Sequence, residues 1–216
     1  MHTFFWRPLA AGLILLALAP PAAAMELKGQ RLQGGLLVGR AAPGTTVVFQ
    51  DRPLRLSPDG LFVIGFDRDA PLENVLTLRA ADGRETRHPM RIAARSYDIQ
   101  RIDGLPQRKV TPAPEDLERI QHEAGLARAA RERDDPRTGF AQAFIWPVHG
   151  RISGVYGSQR ILNGEPRQPH YGVDIAAPAG TPVAAPADGV VSLVHPDMFF
   201  SGRTLILDHG HGVSST

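Results

Sequence analysis

The sequence predicts a mainly β protein: an N-terminal β-sandwich-like domain, a short linking helix, and then a second, partial β-sheet domain. Three observations carry this. Short β-branched or aromatic runs alternate with turn signals from about Met25 to Ile102. A Pro-rich stretch, Thr111-Pro112-Ala113-Pro114, opens the segment with helical periodicity. From Phe144 onward, β-type runs return, punctuated by Gly and Pro. The organisation this gives is 1–24 signal peptide, 25–105 β-rich domain, 106–140 linker and helix, and 141–216 the partial second domain.

Residues 1–24 carry one positive charge, Arg7, then an apolar run Leu9–Ala19, then Pro20-Pro21-Ala22-Ala23-Ala24. Small residues at 22 and 24 suit signal cleavage near Ala24/Met25, which implies export. The alternative is an uncleaved anchor, but the apolar run falls short of the roughly 20 residues a spanning helix needs. Removing Arg7 with that segment leaves about +1 of the chain's net charge of +2, and a near-neutral protein gives no footprint for nucleic acid. The chain has no cysteine, so an exported form is stabilised by core packing and metal rather than disulfides. The expected location is a bacterial periplasm or cell envelope, and the expected state a monomer.

In the N-terminal region, Thr45–Phe49, Leu61–Phe66 and Val75–Leu78 read as strands. Ala42-Pro43-Gly44, Ser57-Pro58-Asp59-Gly60 and Ala81-Asp82-Gly83 are the turns between them. Strands at this spacing suggest a small sandwich. The region shows no clustered His, Asp or Glu. Its arginines, from Arg40 to Arg95, read as a solvated surface ahead of a docking face for an acidic polymer. His88, before Pro89, reads as a strand-end surface residue.

Glu115 to about Arg133 reads as a helix, with acidic residues in its first turn and arginines late, as the helix dipole favours. Leu117, Ile120, Ala124 and Ala127 form its expected packing face. His122 and Glu123 are adjacent, cannot face one metal from a helix, and read as solvated. Beyond it, Phe144–Val148 and Arg151–Ser153 read as strands around a turn at His149-Gly150. Ile161–Gln168 reads as a polar loop forming one wall of a cleft. Ala187–Val194 reads as a turn and strand, His195–Gly202 as a loop with His195 facing solvent, and Arg203–Leu207 as a strand left at a sheet edge.

The chemistry-bearing stretch is Arg167 to Pro178. It sets His170 and Asp174 four positions apart. Imidazole nitrogen and carboxylate oxygen both bind zinc at about 2.0–2.2 Å, so two ligands of one tetrahedral ion bring their donors within roughly 3–3.5 Å. A helix would align them, but Pro169, Gly172, Val173, Ile175 and Pro178 argue against one. A straight strand would spread their Cα atoms by about 13 Å. The pattern therefore implies a strand bent at Gly172.

His170-Tyr171-Gly172-Val173-Asp174-Ile175, Gly180-Thr181-Pro182-Val183-Ala184-Ala185 and Asp188-Gly189-Val190-Val191 together resemble the M23 family of zinc metallopeptidases, the lysostaphin-like or LytM-type enzymes. Tyr156-Gly157-Ser158-Gln159-Arg160 upstream and Leu205–Gly212 downstream extend the resemblance, which covers about Phe144 to Thr216. It implies a partial M23-type β-sheet peptidase domain that binds Zn2+ through His170 and Asp174. It also implies a third ligand and catalytic histidines in an aromatic-x-His-Leu segment and a late His-x-His. Neither occurs in the 216 residues, so those histidines are expected beyond Thr216, from a truncated gene model, and this chain is expected to bind zinc weakly and hydrolyse slowly or not at all. His209-Gly210-His211 spells His-x-His, but the resemblance assigns it to a turn that does not bind metal. The implied substrate is a peptide stem or cross-bridge of peptidoglycan. The alternatives are a degenerate LytM-type activator of a cell-wall amidase and a plain peptidoglycan-binding module.

Overall fold

The computed structural model describes residues 25–105 and 113–216. The expected signal peptide (1–24), and residues 106–112 of the expected linker, lie outside the described residues.

The N-terminal unit is the expected two-sheet sandwich. β1 (Glu26–Gly29), β2 (Leu36–Arg40) and β5 (Leu61–Gly65) form one antiparallel sheet in the order β1-β2-β5. β3 (Thr46–Phe49), β4 (Arg52–Pro53), β6 (Glu73–Arg79) and β7 (Glu85–Arg91) form the other, in the order β4-β3-β6-β7. Strand alternation explains the core: Val47 and Phe49, Phe62 and Ile64, and Leu76 and Leu78 are each two apart and each buried. They meet Leu37, Met90 and Ile92 in a single apolar cluster. The Phe62 ring lies directly against Gly39 of the neighbouring strand, where any Cβ would collide with it. Burying a ring of this size contributes about 1.5–3 kcal/mol.

Sequence reading missed β1, β2 and β7. β7 contains Pro89, which a central strand would exclude, but β7 is an edge strand and loses no ladder bond on its open side. His88 is therefore inside a strand, opposite Leu76, with Nε2 buried and unpartnered, rather than a strand-end surface residue. The arginines are also less free than a solvated surface implies. Arg40, Arg79 and Arg91 pair with Asp59, Glu85 and Glu73, and Arg68 is buried.

β8 (Ile99–Ile102) leaves the sandwich and pairs in parallel with β10 (Gln159–Leu162), which continues antiparallel to β11 (Glu165–Pro166). The last strand of the first unit is thus built into the second. The expected loop at 161–168 is this β10–β11 hairpin.

A 3-10 turn, Pro114–Asp116, leads into α1 (Leu117–Arg131), with Glu118 in its first turn and Arg128 and Arg131 in its last. Its packing face is displaced from the expected one. Glu123 and Ala130 are buried and Ile120 and Ala127 half-buried, whereas Leu117 and Ala124 are exposed. The reason is Glu123, which is not solvated: it accepts from Arg119 Nε at 2.7 Å and from the Phe199 backbone N–H at 2.7 Å. That bond ties α1 to the turn between β13 (Val190–Met198) and β14 (Gly202–Gly210).

β13, β14 and β15 (Val213–Ser215) form an antiparallel sheet with β14 in the middle; β15 pairs only with the Leu207–Gly210 end of β14, so Arg203–Ile206 has β13 on one side and keeps the open edge the sequence suggested. β13 continues through the segment expected as a loop, and the chain turns only at Phe199–Ser201. His195 is accordingly a half-buried strand residue rather than a solvent-facing one. Phe144–Val148 is not a strand. It is tied to the 184–186 segment by Ile145 N–H to Pro186 O at 2.9 Å and Ala184 N–H to Pro147 O at 2.8 Å. No described helix is long and apolar enough to cross a membrane.

Candidate metal centre

β9 (Arg151–Gly154) and β12 (Asp174–Ala176) pair antiparallel, and their register slips between Asp174 and Ile175. The bulge occurs at the aspartate, and β-bulges commonly re-aim a side chain. Opposite it stands Gly154, whose missing side chain leaves room for the Asp174 carboxylate to lie against the strand. Just upstream, the chain bends at Gly172, as the spacing argument required, and β12 begins only at Asp174.

His170 is clamped by its backbone. Its N–H donates to Ser158 O at 2.8 Å, and its carbonyl accepts from Gly157 N–H at 2.7 Å. Its ring Nδ1 lies 3.2 Å from the Val155 carbonyl, a contact that requires Nδ1 to carry the proton. Nε2 is then the lone-pair nitrogen, and it stands 3.2 Å from Asp174 Oδ1. Two acceptors facing each other at this distance call for a cation between them, a proton on Nε2 or a metal ion. For tetrahedral zinc with ligand distances near 2.1 Å, the separation between two donors is about 3.4 Å. The pair therefore fits the ion. Both side chains remain open to approach, with relative exposures of 34% for His170 and 64% for Asp174.

The pair lies in a groove of about 560 Å³, walled by β9, the 155–160 turn and strand, Arg167 and Gln168, and by Asp98 and Gln100 at β8. The hairpin at 161–168 supplies one wall as the sequence suggested. The contribution of β8 was not legible, because it arises from a parallel pairing between residues some 60 positions apart.

His209 and His211 do not join this centre. His209 is fully buried, with Nδ1 2.8 Å from Asp188 O and Nε2 2.8 Å from Ser215 Oγ, so both nitrogens are engaged. His211 has a left-handed backbone (φ 52°), packs its ring 4.6 Å from Phe140, and has both ring nitrogens buried without partners. Burial holds its pKa below the usual histidine value. His122 and His149 are exposed. Among the described residues, no three His, Cys, Asp or Glu side chains converge as a metal set.

Residues 168–216 match the sequence profile of peptidase family M23. The C-terminal part of the chain is therefore similar to peptidase family M23. A crystal structure of a candidate M23 peptidase from Pseudomonas aeruginosa has a similar fold, with a TM-score of 0.61 and 29% sequence identity over 86% of this chain and 72% of that one. No curated protein matches the chain. The family match begins two residues before His170, so both donors fall inside the M23 segment, whereas Val155 and Gly154, which orient them, lie upstream of it.

Proposed function

We propose that the protein is a zinc-dependent endopeptidase acting on peptidoglycan peptides in the cell envelope. One observation carries this reading: His170 Nε2 and Asp174 Oδ1 stand 3.2 Å apart, with the imidazole held by the Val155 carbonyl. Within an M23 segment, that is a prepared half of a metal site. Bound there, zinc would supply Lewis-acid chemistry, polarising a carbonyl and bringing the pKa of water towards neutrality.

The chain's own residues have defined tasks in this scheme. The Val155 carbonyl fixes the His170 tautomer and ring plane, as outer-shell acceptors do for metal-ligating histidines. Gly154 keeps a place for the Asp174 carboxylate. The groove beside the pair offers amide and guanidinium donors, Gln159, Gln168 and Arg160 among them, to the carbonyls of an extended peptide. Among the described residues, no third His, Cys, Asp or Glu side chain converges on the pair.

The test is release of new amino groups from purified peptidoglycan by the protein expressed from its complete reading frame. The reading predicts turnover that a chelator abolishes, zinc restores, and His170→Ala or Asp174→Ala removes. Chelator-insensitive capture of a cell-wall amidase, with no turnover, would instead favour the regulatory reading.

A further inference from the structure

We propose that a second cavity, between the sandwich loop Phe66–Pro71 and the tyrosines Tyr156 and Tyr171, is a subsite for a cationic amine on the bound peptide. The proposal rests on the peptide-substrate reading above and adds a specificity element that the N-terminal domain supplies.

The cavity has a volume of about 520 Å³. It shares its backbone with the metal pair. Tyr171 follows His170 directly, and Tyr156 follows Val155, whose carbonyl holds the His170 ring. Val155 and His170 line the groove, and the next residue of each, Tyr156 and Tyr171, lines the cavity. A peptide bound at His170 and Asp174 is thus one residue along the chain from the Tyr171 wall of the cavity.

The lining is selective for positive charge. Its ionisable residues are Asp67, Arg68 and Asp69 besides the tyrosines. Arg68 is buried, and its Nη1 donates to both Asp69 oxygens at 2.8 and 3.0 Å, so one carboxylate is neutralised within the wall. Asp67 is exposed, and its carboxylate has no hydrogen bond or ion pair among the described residues. The cavity is left with one uncompensated negative charge.

The aromatic faces point the same way. Tyr97, Tyr156 and Tyr171 form a ladder, with ring centroids 6.4 Å and 6.3 Å apart. The protein already seats cations on the first two rings. The Arg68 guanidinium lies 4.3 Å from the Tyr97 centroid, and that of Arg95 lies 5.4 Å from Tyr156 and 6.0 Å from Tyr97. Tyr171, at the cavity end, is 58% exposed and carries no such cation among the described residues. An ammonium group placed between Asp67 and the Tyr171 ring would complete the series. The ladder is rigid: the Tyr97 hydroxyl donates to Arg68 O at 2.7 Å, Arg68 Nε donates to Gly157 O at 2.9 Å, and the Tyr156 ring rests on Gly34. The Arg68–Gly157 and Gly34–Tyr156 contacts dock the sandwich against the Tyr156-Gly157 turn, so the subsite exists only when the two units are together.

The experiment is binding to the full chain without metal, followed by NMR titration. The probes are an end-capped alanyl-lysyl-alanine peptide and the same peptide acetylated at the lysine amine. A cation over a tyrosine face together with one carboxylate predicts that the free amine binds about tenfold more tightly, with the preference weakened by salt. Asp67→Asn is expected to remove most of the preference. It keeps the backbone bond from Gly34 N–H to Asp67 O and so should leave the fold intact. Tyr171→Leu should reduce the preference independently. Equal binding of the two peptides, no binding of either, or an undiminished preference in Asp67→Asn would overturn the proposal. Because no zinc or turnover is involved, loss of the peptidase reading would leave this result standing, and the reverse also holds.

Discussion

Gly154→Ala should damage the metal pair while sparing the fold. A Cβ built at Gly154 lies 2.9 Å from Asp174 Cγ and 3.2 Å from Asp174 Cβ, and closer still to Oδ2. Ordinary van der Waals contact starts near 3.4 Å, so the carboxylate carbon has to retreat by at least about 0.5 Å. Rotating the side chain away breaks the 3.2 Å approach of Oδ1 to His170 Nε2. The backbone has little reason to object, because Gly154 is a strand residue without positive φ. Losses of this kind around a metal site reduce affinity by about 10–100-fold. Zinc competition against a chromophoric chelator measures the change, with far-UV circular dichroism and the thermal midpoint as fold controls. Zinc affinity equal to that of the unsubstituted protein, with the fold intact, would refute the placement of Asp174 against Gly154.

Other positions give equally definite expectations. Phe62→Ala empties the centre of the sandwich and should cost about 3–5 kcal/mol in urea unfolding. His211 titrates below its ordinary value because it is buried, so its stabilising effect is complete above about pH 6.5 and falls as the pH drops from there towards the lowered folded value. His211→Asn, which tolerates the left-handed backbone, should flatten that part of the stability–pH profile. The Arg119 guanidinium, and after it the Phe199 N–H, hold the Glu123 carboxyl below its ordinary range. Its contribution is present above the unfolded value and is lost as the pH falls through the folded one. Glu123→Gln should remove that acid-side loss, read as helix content between pH 5 and 3 (roughly the carboxylate range). Limited proteolysis should cut the C-terminal half first, since Trp146, Val183 and Phe200 are 58%, 74% and 75% exposed there while the sandwich keeps its large residues inside.

Much of this was legible locally. Alternating apolar runs such as Leu61–Phe66 carry their own burial pattern, and the four-residue spacing of His170 and Asp174 with Gly172 between them carries its own bend. What escaped depends on contacts between distant residues. His88-Pro89 read as the end of a strand, yet β7 is an edge strand and runs through both to Arg91. Glu123 read as solvated because nothing near it in sequence reveals the Phe199 N–H it accepts. The hairpin around Phe199 was hidden because His195-Pro196 looks like loop chemistry, yet His195 and Met198 pair with Thr204 and Gly202 across a register shift. The orienting carbonyl of Val155 and the space at Gly154 are register effects, and no local motif announces them.

The central claim is that His170 and Asp174 form a zinc-binding pair with His170 protonated at Nδ1. The most direct measurement is 15N-detected NMR of the histidine side chains during a zinc titration. The account predicts that His170 Nε2 shifts while its Nδ1 keeps its proton on the Val155 carbonyl, that the resonances of His209 stay in place, and that Asp174→Ala weakens the response. Zinc that leaves His170 unchanged, or that perturbs it equally well without Asp174, would contradict it.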